Sequence, residues 1–142
     1  MEIRDKKLSA CRGFTLLEMM VVVMIIGMLA AMVVPNLLRN KDTANQKKAL
    51  ADIVALEGAL DLYYLDHNGY PINDVGLNAL VSPGRKDTAY LKRIPQDPWG
   101  RPYLFLTPGN HGKVDVYTLG EDGREGGEGA AADIGNWNVG DF

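Results

Sequence analysis

An unbroken apolar segment near the N-terminus constrains this chain more than any other feature. Residues 14–34 read FTLLEMMVVVMIIGMLAAMVV and contain a single charged side chain, Glu18. A helix of about 20 residues rises about 30 Å, which matches the hydrocarbon thickness of a bilayer. The segment therefore predicts a transmembrane helix. The mixed polarity of residues 35–142 predicts a soluble domain after it.

A cleaved secretory signal and a lipoprotein signal explain this segment less well. Four basic residues precede it, as in a signal peptide: Arg4, Lys6, Lys7 and Arg12. However, the apolar run exceeds the usual length of about 7–15 residues, and no small-residue cleavage pattern ends it. Residues 8–11 resemble a lipid-attachment box, but the residues before them are polar rather than apolar. A retained membrane helix is the better explanation.

Composition and charge argue against several classes of function. The chain has 15 Lys and Arg against 18 Asp and Glu, with no basic run, which argues against nucleic-acid binding. Cys11 is the only cysteine, so an intrachain disulfide cannot form. With His67 and His111 as the only histidines, the four nitrogen or sulfur ligands of a structural zinc site are lacking. No nucleophile lies beside a plausible base, so the sequence does not predict an enzyme.

Glu18 needs a chemical explanation, because an ionised carboxylate inside a membrane helix costs about 2.5–3.5 kcal/mol. One explanation is that Glu18 lies close enough to the helix start to reach the membrane interface. The other is that the chain is cut between Gly13 and Phe14. The new α-ammonium of Phe14 would then lie one turn from Glu18, within reach of the carboxylate of a neighbouring copy.

The residues around this position resemble a known assembly signal. The sequence GFTLLE at residues 13–18, after a short basic leader and before an apolar helix, resembles the N-terminus of type IV pilins and pseudopilins. The resemblance implies that a prepilin peptidase removes residues 1–13 and methylates Phe14. It also implies a single-pass protein of the bacterial inner membrane, with residues 14–34 in lipid and residues 35–142 in the periplasm. Basic residues are equally numerous on both flanks of the helix, so this orientation rests on the resemblance alone.

Residues 36–66 continue as an amphipathic helix. Apolar side chains recur at steps of three and four residues, at Ala49, Ile53, Leu56, Leu60 and Tyr63. Asn68 and Pro71 are typical of a helix end, so the membrane segment and this helix form one long helix. Gly27 and Pro35 weaken it, because proline removes a backbone donor and clashes with the preceding turn. The sequence predicts a kink or loosened stretch between them, and the resemblance implies the same loss of regular helix in filaments.

Residues 70–119 predict a small α+β head. Its predicted elements are a short helix capped by Asn73 or Asp74 and ending at Leu80, a strand at residues 103–106, and a strand at residues 114–119. The sequence TPGNHGK between the strands predicts a hairpin. We expect this small antiparallel sheet to pack on the C-terminal half of the long helix. The proline-rich loop 95–103 should be rigid, with Trp99 filling the gap between sheet and helix.

Two blocks of the head make the resemblance more specific. The sequences LEGALD at residues 56–61 and PQDPWGRPY at residues 95–103 are similar to the major pseudopilin of type II secretion, the protein G class, and the likeness extends to Trp137. The resemblance implies a pilin-like fold and a subunit that forms a helical homopolymer in the periplasm and drives export of folded proteins across the outer membrane. The implied partners are minor pseudopilins, the prepilin peptidase, an inner-membrane assembly platform and membrane lipid.

Two other functions account for part of the sequence. A type IV pilin or a minor pseudopilin shares the N-terminal signal but lacks this head. A monomeric, membrane-anchored calcium-binding module would use the acidic loop near the C-terminus. Electron microscopy of sheared material separates these classes, because a fibre of this chain alone identifies the major subunit.

Glu57 and Asp61 lie four residues apart on the predicted helix, where like charges repel each other. In one interpretation both carboxylates are simply solvated. In the other they bind a basic partner during assembly, and the candidates we prefer are Lys92 and Arg93 of another subunit. The sequence alone leaves both interpretations open.

The C-terminal segment 119–133 combines glycines with acidic residues. Its oxygen ligands suit a hard cation such as Ca²⁺, although their spacing differs from that of an EF-hand. By composition alone, an acidic glycine-rich loop is more often solvated. The resemblance implies that the loop folds around calcium through the carbonyl of Leu119 and the carboxylates of Asp122 and Asp133.

The sequence departs from the family pattern within this loop. Many relatives carry a further aspartate where this chain has Ala131 or Ala132, so one acidic ligand is missing. Three outcomes are then open: Glu128 or a water substitutes for it, calcium binds weakly, or the loop is held without metal.

Overall fold

A computed structural model describes residues 13–82 and 89–142. The chain divides into two compact units, Met1–Leu38 and Arg39–Phe142. One long helix, α1 (Leu16–His67), contributes residues to both units. The remaining elements are β1 (Leu104–Leu106), β2 (Asp115–Thr118), β3 (Ile134–Gly135) and short 3₁₀ helices at Gly76–Leu80, Gly129–Ala131 and Val139–Asp141. The predicted α+β class, with a long N-terminal helix and a small antiparallel sheet, is confirmed.

The first unit consists, in its described part, of the N-terminal residues of α1. By length and composition, α1 is the one helix among the described residues that could cross a membrane. A kink or a loosened stretch was predicted between Gly27 and Pro35; the helix continues through both residues, so a loss of regular helix is not found there. Proline removes only its own backbone donor, and the helix is held by the hydrogen bonds on either side of it.

The predicted end of the long helix is confirmed. Asn68 follows α1 with a φ of 57°, the left-handed conformation of a helix C-cap, and its N–H donates to the carbonyl of Tyr64 at 2.7 Å. The helix ends at His67, one residue beyond the predicted end at residue 66. Pro71 is buried shortly after it. A β-branched or bulky residue at this positive φ would be strained, whereas asparagine tolerates it.

The core of the second unit lies between α1 and the sheet. The apolar stripe predicted on α1 is buried, with Ile53, Leu56 and Leu60 fully inaccessible to solvent. These side chains join a cluster that includes Leu77, Leu80, Tyr103, Val114, Val116 and Ile134. Fully burying a side chain of this size stabilises the fold by about 1.5–3 kcal/mol, so this stripe fixes which face of α1 the sheet covers.

The sheet has three antiparallel strands in the order β1-β2-β3. The predicted hairpin is confirmed, with Phe105 of β1 opposite Val116 of β2. β3 was not predicted, because two residues are too few to show an alternating pattern. It pairs Ile134 with Thr118 and so attaches the end of the C-terminal loop to β2.

The predicted capped helix before Leu80 is wrong in its start and in its cap. The element is a 3₁₀ helix that begins at Gly76, and no side chain caps it. The Asn73 side chain instead bonds the backbone of Thr107: its Oδ1 accepts the N–H at 2.7 Å and its Nδ2 donates to the carbonyl at 2.8 Å. Asn73 therefore stabilises the backbone just after β1 and does not cap the 3₁₀ helix at Gly76–Leu80.

The loop 95–103 packs against the core as predicted. Trp99 is partly buried and contacts the core cluster. Tyr103 is buried, and its hydroxyl donates to Oδ2 of Asp52 on α1 at 2.9 Å. Burial, and then this hydrogen bond, raise the pKa of the Tyr103 phenol far above its ordinary value. The loop is thus tied to α1 by a neutral phenol that donates to a carboxylate.

Candidate functional site

The N-terminal residues of the predicted assembly signal form a helix cap. Thr15 precedes α1, and its backbone N–H and hydroxyl both donate to Oε2 of Glu18, at 3.0 and 3.2 Å. The N–H of Glu18 donates back to the Thr15 hydroxyl at 3.2 Å. This reciprocal arrangement is a capping box, whose sequence signature is Ser or Thr followed three residues later by Glu or Gln. Thr15 and Glu18 carry this signature in the sequence.

The cap gives Glu18 polar contacts within its own chain. Neither of the two explanations offered above for this carboxylate included such contacts. Both hydrogen bonds from Thr15 are accepted by the same oxygen, Oε2. A carboxylate at the first turn of a helix is also favoured by the helix dipole. Phe14, beside it, is 83% exposed.

Glu57 and Asp61 lie on one face of α1 and accept hydrogen bonds from uncharged donors. Oε1 of Glu57 accepts from Nδ2 of Asn136 at 3.2 Å, and Oδ1 of Asp61 accepts from the Tyr70 hydroxyl at 3.2 Å. The two acids line a cavity of about 280 Å³, together with Lys113 and other residues. Asn136 and Tyr70 were not predicted, because no local pattern marks a partner so far along the chain.

Lys92 and Arg93 are exposed in the loop before the proline-rich segment. Among the described residues, no ion pair joins either of them to Glu57 or Asp61. The structure therefore brings the two acids together and leaves the two basic side chains at the surface, available to another molecule.

The C-terminal loop, residues 119–133, is held by side chains from outside it. The Arg101 guanidinium donates to the carbonyls of Gly120 and Glu121. Gln46 on α1 donates from Nε2 to the carbonyl of Gly129 at 2.8 Å. Gly120 has a φ of 62°, and a Cβ there would lie 2.7 Å from the carbonyl of Ala131. The two ends of the loop approach so closely that only glycine fits at this position.

Asp133 carries an unsatisfied oxygen inside this loop. Its Oδ2 accepts the N–H of Gly126 at 2.8 Å, whereas Oδ1 is buried and has no hydrogen-bond partner among the described residues. A buried carboxylate oxygen without a partner is costly. Such an oxygen is the kind of group that a bound cation satisfies.

The other predicted calcium ligands do not converge with Asp133 into an evident site. Asp122 is exposed, and its Oδ1 accepts the N–H of Arg124 at 3.1 Å. In the part of the chain that the structure describes, no three acidic, histidine or cysteine side chains form a group that could hold a metal. Glu125, one of the acidic residues that give this loop its oxygen ligands, lines a cavity of about 230 Å³ with Asp133. The donors are all oxygen atoms, which fits a hard cation rather than zinc.

A comparison with known protein families identifies the family to which the head belongs. The family model described as type II secretion system (T2SS), protein G, matches residues 36–137, which include the core, the sheet and the C-terminal loop. The chain belongs to this family. A second model, the prokaryotic N-terminal methylation motif, matches residues 8–34, which include Gly13, Phe14 and Glu18. Together with the apolar part of α1, this motif indicates an anchor in the inner membrane.

Relatives across the family are similar to the chain over most of its length. The type II secretion system core protein G of Vibrio cholerae is 57% identical, over 96% of this chain and 99% of its own. That of Pseudomonas aeruginosa is 50% identical, over 89% of this chain and 94% of its own. The crystal structure of the major pseudopilin from the type 2 secretion system of enterohaemorrhagic Escherichia coli superposes with a TM-score of 0.62 and 45% sequence identity. The match covers 74% of this chain and 96% of the pseudopilin chain. The predicted resemblance to the protein G class is therefore confirmed, and this is a family of structural subunits rather than of enzymes.

Proposed function

We propose that this chain is the major structural subunit of a type II secretion pseudopilus, which polymerises in the periplasm and drives export of folded proteins across the outer membrane. The observation that supports this role best is the match of the head, residues 36–137, to the protein G family. A type IV pilin or a minor pseudopilin shares the N-terminal motif without this head, so the comparisons do not favour either. A monomeric calcium-binding module has no need of the methylation motif.

We also propose how the chain is processed, inserted in the membrane and assembled. A prepilin peptidase removes residues 1–13 and methylates Phe14, residues 14–34 remain in the inner membrane, and residues 35–142 face the periplasm. An inner-membrane platform assembles the chains into a helical homopolymer, and minor pseudopilins join the same fibre. The methylation motif at residues 8–34 and the family match after it support this order.

Fibre formation with and without processing tests the proposal. We expect sheared material from cells that overproduce the secretion system to contain fibres of this chain, seen by electron microscopy. Gly13→Val should keep the leader and yield no fibres, because the proposed cut follows this glycine. A Cβ at Gly13 contacts nothing within 4 Å, so a folding defect is not expected. A Gly13→Val chain of normal mature mass would contradict the assigned cleavage site, and absence of fibres from the parent chain would contradict the function.

In the fibre, we propose that Glu57 and Asp61 of one subunit bind Lys92 and Arg93 of another. Among the described residues, the two acids accept hydrogen bonds from the uncharged donors Tyr70 and Asn136, and the two basic side chains are exposed. Exposed ion pairs contribute about 0.2–1 kcal/mol each, so we expect Arg93→Glu to weaken fibres several-fold. The double variant Glu57→Arg/Arg93→Glu should recover them, as measured by the yield of sheared fibres. No recovery in the double variant would assign these acids to the solvated surface.

We also propose that the C-terminal loop binds Ca²⁺. Asp133 would hold the ion, with Glu125 in place of the acidic ligand missing at Ala131 or Ala132. The carbonyl of Leu119 and the carboxylate of Asp122, which do not converge with Asp133 among the residues that the structure describes, would have to move toward the ion to complete the site. The unsatisfied Oδ1 of Asp133 and the cavity that Asp133 shares with Glu125 support this assignment. A bound calcium ion supplies positive charge that offsets the repulsion among the acidic side chains of the loop.

A further inference from the structure

Arg101 reaches from the proline-rich loop into the start of the C-terminal loop. Its Nη2 donates to the carbonyl of Gly120 and its Nη1 to the carbonyl of Glu121, the latter at 3.3 Å. A guanidinium presents its donors in a rigid planar fork, which suits two adjacent oxygen acceptors. One side chain thus binds two successive carbonyls of a segment about twenty residues further along the chain.

The backbone N–H and the Nε of Arg101 both lie against the buried carboxylate of Asp97. The backbone N–H of Arg101 donates to Oδ1 of Asp97 at 2.7 Å, and Nε lies 3.7 Å from Oδ2. Asp97 is only 4% exposed, and its Oδ2 also accepts from the hydroxyl of Thr118, the last residue of β2, at 2.6 Å. Arg101 therefore connects a rigid point at the end of β2 with the loop that follows.

The loop is shaped to receive this side chain. Gly123 has a φ of 67°, and a Cβ there would lie 2.5 Å from Nη1 of Arg101. The guanidinium therefore lies close against the backbone of the turn, in space that a side chain at residue 123 would need. The N–H of Glu121 donates to the carbonyl of Ala130 at 2.9 Å and so joins the two ends of the loop. This bond lies next to the carbonyls of Gly120 and Glu121, which Arg101 binds.

We propose that Arg101 is a positioning residue for the C-terminal loop, which it holds folded in the absence of any ion. The carbonyls that it binds, of Gly120 and Glu121, lie between Leu119 and Asp122, two of the residues proposed above to hold Ca²⁺. The part of this inference that concerns ion affinity rests on that proposed calcium site. The part that concerns the fold of the metal-free loop does not depend on it.

Hydrogen exchange in the metal-free full-length chain tests the inference. The chain is kept in detergent with EGTA, and exchange is followed at the amides of residues 119–133. Arg101→Lys retains the charge and loses the fork, whereas Arg101→Gln loses both. We expect both variants to exchange at least about tenfold faster at Glu121, because charge-assisted hydrogen bonds that close the loop are lost.

Arg124→Gln is the matched control. It removes one positive charge, as Arg101→Gln does, but from within the C-terminal loop, and only the backbone N–H of Arg124 takes part in a described hydrogen bond, with Asp122. Exchange at Glu121 in this control should stay within about twofold of the parent chain. Unchanged exchange at β2 will show that the Arg101 variants are folded. Parent-like protection of Glu121 in Arg101→Lys overturns the proposal.

A calcium titration of the same chains separates positioning from a general loss of stability. The Ca²⁺ concentration that half-saturates loop protection should rise several-fold in Arg101→Lys and should not rise in Arg124→Gln. Parent-like half-saturation in Arg101→Lys overturns the link to ion binding. If Ca²⁺ leaves the parent chain unchanged, the calcium site is wrong, while the comparison in EGTA still decides whether Arg101 holds the loop.

Discussion

We expect the Glu18→Gln chain to form at most about one hundredth of the fibres that the parent chain forms, because removing one partner of a buried ion pair costs about 3–5 kcal/mol. Glutamine can still accept the hydrogen bonds of Thr15, since a capping box uses either Glu or Gln. The substitution therefore removes the negative charge and leaves the helix cap in place. The measurement is the yield of sheared fibres at matched levels of processed chain in the membrane.

A second substitution removes the cap and keeps the charge. Thr15→Ala loses the hydroxyl that bonds Glu18, at a cost of about 1 kcal/mol for a typical N-cap. If Glu18 acts by pairing with the α-ammonium of Phe14 in a neighbouring copy, Thr15→Ala should reduce fibres far less than Glu18→Gln does. The reverse order would show that Glu18 matters as a cap and that the charge-pairing mechanism is wrong.

The capping box gives the charge of Glu18 hydrogen-bond donors within its own chain. From sequence alone, Glu18 was an isolated carboxylate in an apolar segment, which required either the interface or a cation. The structure gives its Oε2 two donors from Thr15 of the same chain. An unassembled chain thus offsets part of the desolvation cost while it remains in the membrane. We propose that the fibre offers Glu18 a better partner, the α-ammonium that cleavage before Phe14 would release.

Features with a local pattern were predictable from the sequence, and features with distant partners were not. The buried stripe at Ile53, Leu56 and Leu60 follows from helical periodicity, and the end of α1 follows from Asn68. By contrast, Asn73 looks like a helix cap but bonds Thr107, thirty-four residues away. A side chain with two possible uses is assigned by tertiary structure, which overrides local propensity.

The candidate site shows the same division. The composition of residues 119–133 alone favoured a solvated loop, and the family resemblance implied a cation site there. The unsatisfied oxygen of Asp133 lies in that segment. The contacts of Arg101 with Gly120 and Glu121 carry no sequence signal, because backbone carbonyls are present at every residue. Only the fold shows which of them an arginine reaches.

Calcium should raise the melting temperature of the parent chain by roughly 10 °C or more when its concentration is about 100 times the dissociation constant. Binding at that ratio stabilises the folded state by about 2.7 kcal/mol, and a domain of this size shifts by about 4–8 °C per kcal/mol. The full-length chain in detergent is melted in Ca²⁺ and in EGTA. Equal melting temperatures would rule out a stabilising ion.

Asp133→Asn is the variant that assigns this shift to the loop. Asparagine has nearly the same shape and can accept the N–H of Gly126, but it places no negative charge beside an ion. We expect its melting temperature to be the same in Ca²⁺ and EGTA. In EGTA it should melt within a few degrees of the parent chain, because the amide NH₂ replaces an oxygen that already has no described partner, and the buried negative charge is removed.

Two glutamates of the loop then distinguish a specific site from general charge neutralisation. Both side chains are exposed, but Glu125 lines a cavity with Asp133 and Glu128 does not. Glu125→Gln should reduce the calcium-dependent shift, and Glu128→Gln, which removes the same charge, should leave it intact. An equal reduction in both would mean that Ca²⁺ acts on the net charge of the loop. Mg²⁺ at the same concentration should not reproduce the shift, because it requires a nearly ideal octahedron that this irregular loop does not supply.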